Sequence, residues 1–454
     1  MKKFACLFLV LLLSIPCCTA LAAEKDTGSI GDVLAPNYIV VDAYDPSIVL
    51  FERNADESCI PGSTMKIMTC ILILELCSDL DERVIIQGNA AALKETNSLM
   101  NVIKGEDLSI RELLYGLMLE SGNDAALTLA LRFGGEKGVE GFAALMNEKA
   151  KAIGMSDATC FVNASGAFKR DQRSTPRDMA LLTCYALKNE TFRQIVSAVH
   201  YTIPANTVRT KPMEMTNSNR LISDPIDSEV FCAYANGVKT GSTERGGKCL
   251  VSSATVDGAA VVAVLLGATE GGSKNARMTR VFIDAKQLME RALNEQYMLV
   301  TPSDLGLTYS DTVSINAATN AVVTADFTNT ASIRLPLTIV ESIKIDPASI
   351  IVTAQRDESA TLGVSGDIYG LAIGSYRDRI LFSAPITVDH IVAISSTPKP
   401  IQEIPADIPA AAKTTHEQSS TAHLLLILFV VLIVITIASI VALLIIMKQK
   451  HRRR

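Results

Sequence analysis

The sequence predicts an antiparallel sheet sandwiched by helices (α/β, of the α+β kind), followed by a small all-β domain and a C-terminal transmembrane helix. Three observations lead there. From about Asn37 to Tyr297 strand-like and helix-like segments mix, with tight couplings between consecutive strands. From about Val300 to Ser396 the chain turns rich in Thr, Val and Ile with alternating segments. Leu424 to Met447 contains no charged residue. Tight coupling matters because antiparallel neighbours need only a short turn, whereas parallel ones need a long crossover.

Taken in order, Lys2-Lys3, the apolar run Phe4 to Ile15 and the small-residue stretch Thr19-Ala20-Leu21-Ala22 read as a signal peptide over residues 1–23. The rival, an uncleaved anchor, needs a longer apolar run, and Pro16 before Cys17 makes a poor lipoprotein site. Tyr38–Asp42 and Ser47–Phe51 flank Asp45-Pro46 as a hairpin, and a helix is expected from Ser63 through the run Met65 to Leu80. Val238–Gly241, Cys249–Val256 and Ala259–Gly267 read as three strands, the last two joined by Asp257-Gly258, a strong hairpin signal. A helix over Lys274–Glu295 closes this domain, residues 37–297. The all-β domain, residues 300–396, rests on segments such as Ala321 to Phe327 and Ser342-Ile343-Lys344-Ile345.

Residues 397–421, with Pro398, Pro400, Pro405 and Pro409, read as a flexible linker. A helix over 424–447 reaches about 36 Å, enough to cross a bilayer. The basic tail 448–454, with Lys448, Lys450, Arg452, Arg453 and Arg454, is expected to stay in the cytoplasm. The expectation is a single-pass protein of the cell membrane, with its body on the extracytoplasmic side.

The net charge of −6 conceals an asymmetry. Seven cations lie at the two ends, so the portion between them sets 35 cations against 48 acids, a balance of −13. That argues against a nucleic-acid partner on electrostatic grounds. Beyond the signal lie seven cysteines, an odd number, and most sit in apolar runs as small buried hydrophobes do. No CxxC or close Cys/His cluster occurs, so neither a metal nor another cofactor is expected.

For chemistry, no G-x-S-x-G surrounds any serine, and His200 is the larger domain's one histidine, read as a surface or strand-end residue. A Ser-His-Asp triad is therefore not expected. In Pro61-Gly62-Ser63-Thr64-Met65-Lys66 the lysine lies one helical turn beyond the serine, so its amine reaches the hydroxyl. Burial and a second nearby cation would keep that amine neutral and basic. Alone, the pair also fits a capping serine and a surface lysine. Ser121-Gly122-Asn123 after the helix Ser109–Glu120, and Lys239-Thr240-Gly241 on a strand, change the reading. The signature of penicillin-binding and class A β-lactamase serine enzymes is S-x-x-K, S-D-N and K-T-G in that order, met here with Gly122 at the middle of the second triplet.

Through these motifs, and through Thr216 to Leu221, residues 37–297 resemble the low-molecular-mass penicillin-binding proteins, serine-type D-alanyl-D-alanine carboxypeptidases with a β-lactamase/transpeptidase-like fold. The resemblance implies Ser63 as nucleophile, Lys66 as base and Ser121 as proton relay. It implies Asn123 on the substrate amide, Lys239 and Thr240 at the terminal carboxylate, Gly241 among the substrate-binding residues, and the backbone N–H groups of Ser63 and Ser242 as oxyanion hole. The implied partners are peptidoglycan stem peptides, β-lactams as covalent inhibitors, and the cytoplasmic membrane. Lys169, Arg170 and Arg173 are expected to crowd the loop from Asn163 to Asp178 with cations, and Pro176 and Ser242 depart from the usual residues. A class A β-lactamase is disfavoured because no glutamate lies between Asn163 and Asp178. An endopeptidase or transpeptidase, or a β-lactam-sensing or wall-binding module that scarcely turns over, remain open alternatives.

Overall fold

The computed structural model describes residues 33–393 apart from 94–97, 228, 270–273 and 361–362. The predicted signal peptide, linker, membrane span and basic tail lie outside the described residues, within which no helix is long and apolar enough to cross a membrane.

Strands β1 (Asn37–Asp42) and β2 (Val49–Arg53) form the first hairpin. A 3₁₀ turn over Gly62–Met65 leads into helix α1 (Lys66–Leu76), whose first eight residues are all buried. The sequence reading began the helix at Ser63; the α-helix begins instead at Lys66. The cause is local: Gly62 takes φ +55°, and the Thr64 hydroxyl donates back to the Pro61 carbonyl at 2.7 Å. Side-chain bonds of that kind favour tight turns over regular helix.

Short strands β3 (Arg83–Ile85) and β4 (Asp107–Ser109) flank helix α2 (Gly88–Ala91). Helix α3 (Ile110–Met118) opens on a full capping box between Ser109 and Glu112. Then come α4 (Asn123–Phe133), α5 (Gly138–Ile153), α6 (Pro176–Ala186) and α7 (Glu190–Ser197). Pro176 is simply the first residue of α6, behind the Thr175 cap, where a missing N–H costs nothing. Strands β5 (His200–Ile203) and β6 (Met213–Thr216) pair, and the short helix α8 (Arg220–Ser223) follows.

Strands β7 (Ala235–Thr243), β8 (Gly247–Val256) and β9 (Ala259–Ala268) complete a five-stranded sheet in the order β2-β1-β9-β8-β7, antiparallel throughout. Asp257 and Gly258 both take positive φ, +47° and +77°, the type I′ turn their sequence predicts. Helix α9 (Lys274–Glu295) covers one face. Side chains alternate across the sheet: Ile39, Val41, Val262 and Val264 join the core with α1, while Tyr38, Val40, Val261 and Ala263 join the core with α9. This period of two places apolar residues on both faces, as a sheet between helix layers requires.

Strand β10 (Tyr297–Val300) leads to the second sheet, built from β11 (Tyr309–Asn316) and β12 (Thr319–Ala325), and β13 (Ile333–Pro336) returns to pair with β10. After helix α10 (Leu337–Ile345) come β14 (Ile350–Arg356), β15 (Ile368–Tyr376) and β16 (Arg379–Ala393), giving the order β11-β12-β16-β15-β14 around a third core. The expectation of an all-β module is therefore corrected by α10. Ser342 to Ile345, read as alternating strand, end that helix, and buried Ile339, Val340 and Ile343 have the helical spacing that a four-residue window cannot display.

The two sheets belong to one compact unit. Asp42, fully buried, accepts from the Tyr297 hydroxyl at 2.7 Å and pairs with Arg379 at 3.4 Å. Burial raises the Asp42 pKa, and Arg379 partly offsets that. Arg379 also donates to the carbonyl of Gly258, at 2.8 Å.

Candidate active site

Ser63 sits on the 3₁₀ turn and Lys66 opens α1, so one tight turn separates hydroxyl from amine. Their Oγ and Nζ are 3.0 Å apart. Lys66 is fully buried, and its Nζ also donates to Asn123 Oδ1 at 2.8 Å and to the Ser165 carbonyl at 2.5 Å. Burial, and after it the Lys239 charge, hold the Lys66 pKa well below that of an ordinary lysine; Asp124 acts weakly the other way. A neutral amine has two N–H donors and one lone pair. With its two donors on Asn123 and Ser165, the neutral form would turn its lone pair to the Ser63 hydroxyl, the geometry a general base requires.

The second motif is held by its backbone. Ser121 takes φ +60°, and the Gly122 and Asn123 N–H groups donate to the carbonyls of Gly116, at 3.0 Å, and Ser98, at 2.9 Å. Asn123 then opens α4. The buried Ser121 hydroxyl has no hydrogen-bond partner among the described residues. Buried Asp124 accepts from the Met100 and Val102 N–H groups, 3.0 Å each, and so fastens that segment to α4.

The third motif lies on β7. Lys239 is buried, and burial brings its pKa down to about 7, against an opposing pull from Glu120. Thr240 Oγ1 lies 2.8 Å from Ser218 Oγ, and Ser242 Oγ accepts from Lys248 Nζ at 2.7 Å. At Gly241 a side chain has no room: a Cβ there would sit 3.0 Å from the Pro61 carbonyl and 3.1 Å from the Thr64 methyl. The strand thus runs directly along the turn that carries Ser63. A Cβ on Gly62 would come within 3.4 Å of the Ser242 nitrogen, so the N–H groups following Gly62 and Gly241 belong to adjoining backbone.

All of the predicted site residues therefore fall in one neighbourhood. Sequence reasoning missed the Ser165 carbonyl, Asp124, Glu120 and Ser218. Ser218 lies in the stretch Thr216 to Leu221, which carried the resemblance without a role for any residue. Lys169, Arg170 and Arg173 do not crowd the inner side of the loop. They are exposed, and the interior is filled by buried Gln172, whose Oε1 accepts from the N–H groups of Val162 and Asn163 at 3.1 Å each. His200 is an exposed residue at the start of β5. Among the described residues no cluster of His, Cys, Asp or Glu suits a metal ion.

The profile of the D-alanyl-D-alanine carboxypeptidase family, peptidase S11, matches residues 22–270. The D-alanyl-D-alanine carboxypeptidase DacF of Bacillus subtilis (strain 168) is 31% identical over 241 residues, 52% of this chain and 58% of that protein. The D-alanyl-D-alanine carboxypeptidase of Streptomyces sp. (strain K15) is 34% identical over 243 residues, 51% of this chain and 80% of that protein. Among solved structures, the Streptomyces K15 DD-transpeptidase superposes with a TM-score of 0.52 at 32% identity, covering 58% of this chain and 98% of that one. The match thus spans a little over half of the Bacillus protein's length. With its family profile, its relatives and its fold in agreement, this chain belongs to the D-alanyl-D-alanine carboxypeptidase family, peptidase S11.

Proposed function

We propose that the protein is a penicillin-sensitive D-alanyl-D-alanine carboxypeptidase that removes the terminal D-alanine of peptidoglycan stem pentapeptides. The observation that carries this reading is the buried, pKa-lowered Lys66 amine 3.0 Å from the Ser63 hydroxyl. Ser63 Oγ attacks the carbonyl between the two D-alanines while its proton passes to Lys66 Nζ. The oxyanion is received by the N–H groups of Ser63 and Ser242, donors of a kind worth about 3–4 kcal/mol each in comparable sites. Lys239 and Thr240 hold the terminal carboxylate, Asn123 holds the substrate amide, and Ser121 passes a proton to the departing amine as the C–N bond breaks. Water then cleaves the acyl-serine ester. A β-lactam enters by the same attack, but its ring-opened amine stays tethered, so the ester persists.

We further place the protein in the cell membrane, with a signal peptide over 1–23, a linker over 397–421, a single span over 424–447 and the tail inside the cytoplasm. The charge asymmetry at the two ends supports this. Protease accessibility of the body in intact spheroplasts tests it, and a body shielded until lysis would overturn it. For the activity, mass spectrometry of the full-length chain with penicillin and with a D-Ala-D-Ala pentapeptide should show a stable adduct on Ser63 and release of free D-alanine. Ser63→Ala should abolish both.

A second reading, peptide transfer to an amine acceptor, draws support from the solved neighbour, which is a DD-transpeptidase. New cross-links formed from pentapeptide and an added amine, with little free D-alanine, would favour it.

A further inference from the structure

If Lys239 and Thr240 take the carboxylate and the Ser242 N–H takes the oxyanion, the substrate runs along β7, and the positions after Ser242 face the part of the peptide upstream of the scissile bond. Glu244 and Arg245 lie just beyond the strand, in the turn that joins β7 to β8, and so stand on the side of the residue preceding the D-alanine pair. There the Arg245 guanidinium lies over the Phe168 ring, 5.0 Å from its centroid. This contact joins the β7–β8 turn to the loop whose Ser165 carbonyl touches Lys66. Phe168 is 40% exposed, and the exposed Lys169 and Arg170 follow it in the loop. Among the described residues none of Lys169, Arg170 and Arg245 has a carboxylate at ion-pair distance, whereas Arg83, Arg132, Arg177 and Arg209 are all paired. Asp171 and Glu244 are the acids in these same two segments.

Resting on the D,D-peptidase reading above, we propose that Arg245, held flat by Phe168, selects substrates carrying an additional carboxylate on the side chain of the residue immediately before the D-alanine pair. In a chain whose body is strongly acidic, an unpaired cationic rim on the acyl side of the cleft favours an anionic substrate over a neutral one. The aromatic face fixes the guanidinium while leaving its edge donors free for a bidentate carboxylate.

The test compares two peptides on the full-length chain: Nα,Nε-diacetyl-Lys-D-Ala-D-Ala, and the same peptide with Nε-succinyl in place of Nε-acetyl, which adds one carboxylate. At low salt kcat/KM should favour the succinyl peptide by about fivefold, the scale of one partly exposed ion pair, and the ratio should shrink in about 0.5 M salt. Arg245→Ala and Phe168→Ala should bring it to about one, with the acetyl peptide changed less than about twofold. A ratio near one in the native chain, or one unaltered by Arg245→Ala, overturns the proposal. The same peptides, used as competitors against fluorescent penicillin, read binding without turnover. A chain that is labelled yet releases no D-alanine therefore sinks the carboxypeptidase reading, while the competition ratio still judges the rim.

Discussion

Gly166→Ala tests whether the loop from Asn163 to Gln172 positions the base. Gly166 takes φ +78°, and a Cβ there would lie 2.1 Å from the Gly62 carbonyl oxygen, 2.5 Å from its carbon and 2.9 Å from the Ser63 nitrogen. The left-handed conformation costs alanine about 1–2 kcal/mol. The overlap is with backbone rather than with a side chain that can swing away, which adds about 1–3 kcal/mol. Together these destabilise the fold by about 2–5 kcal/mol. To relieve the contact the loop must retreat by about 1 Å, drawing the Ser165 carbonyl from Lys66 or pushing the Ser63 turn. A displacement of that size costs reactivity on the order of 100-fold. The assay is the second-order rate constant for acylation by fluorescent penicillin, measured beside thermal unfolding. Gly154→Ala is the control: φ is +91° there, with nothing within 4 Å of the added carbon, so only the conformational cost should appear and acylation should stay near native. If Gly166→Ala acylates within about threefold of the native rate, or if Gly154→Ala loses as much, the loop does not position the base.

Three further outcomes are expected. kcat/KM should trace a bell against pH: Lys66 must be neutral to accept a proton, so activity falls as acid protonates it, and Lys239, brought down to about 7 by burial, loses the charge that holds the carboxylate as pH rises. Lys239→Arg should move the alkaline limb upward, since arginine stays charged; an unmoved limb would assign it elsewhere. Asp124→Asn removes an acceptor from the Met100 or Val102 N–H and should cost about 1–3 kcal/mol in denaturant unfolding. Because Asp124 raises the Lys66 pKa, the same change should move the acid limb to lower pH. Arg379→Ala leaves the buried Asp42 carboxylate without its cation and should destabilise by about 3–5 kcal/mol, with partial recovery on adding Asp42→Asn. No recovery would show that Arg379 acts through its carbonyl contacts.

The parts legible in the sequence were those with short-range signatures. Ser63 and Lys66 are three residues apart, so any tight right-handed turn brings them together, and the Asp257-Gly258 turn fixed the β8–β9 hairpin in advance. α9 follows the predicted Lys274–Glu295 because a long periodic run outweighs local ambiguity. The Ser165 contact was hidden because a backbone carbonyl carries no residue-type signal. Asp124 was passed over beside Asn123, since a carboxylate satisfied by backbone N–H groups looks in sequence like any first-turn acid. The link among Asp42, Tyr297 and Arg379 spans 255 and 337 residues, beyond any periodic pattern.

The pairing of β1 with β9, Asn37 opposite Leu266, has a consequence for the order of assembly. The first strand among the described residues waits for a partner more than two hundred residues away, and contacts so distant in sequence are slow to form. Ser63, Ser121 and Lys239 all lie in the stretch that must be made before that partner arrives. On the reading proposed above, Ser63 and Lys66 can meet in a local turn, but Lys239 is fixed beside them only once β7 pairs with β8 and β8 with β9, so a partly folded chain would lack the second cation next to the amine.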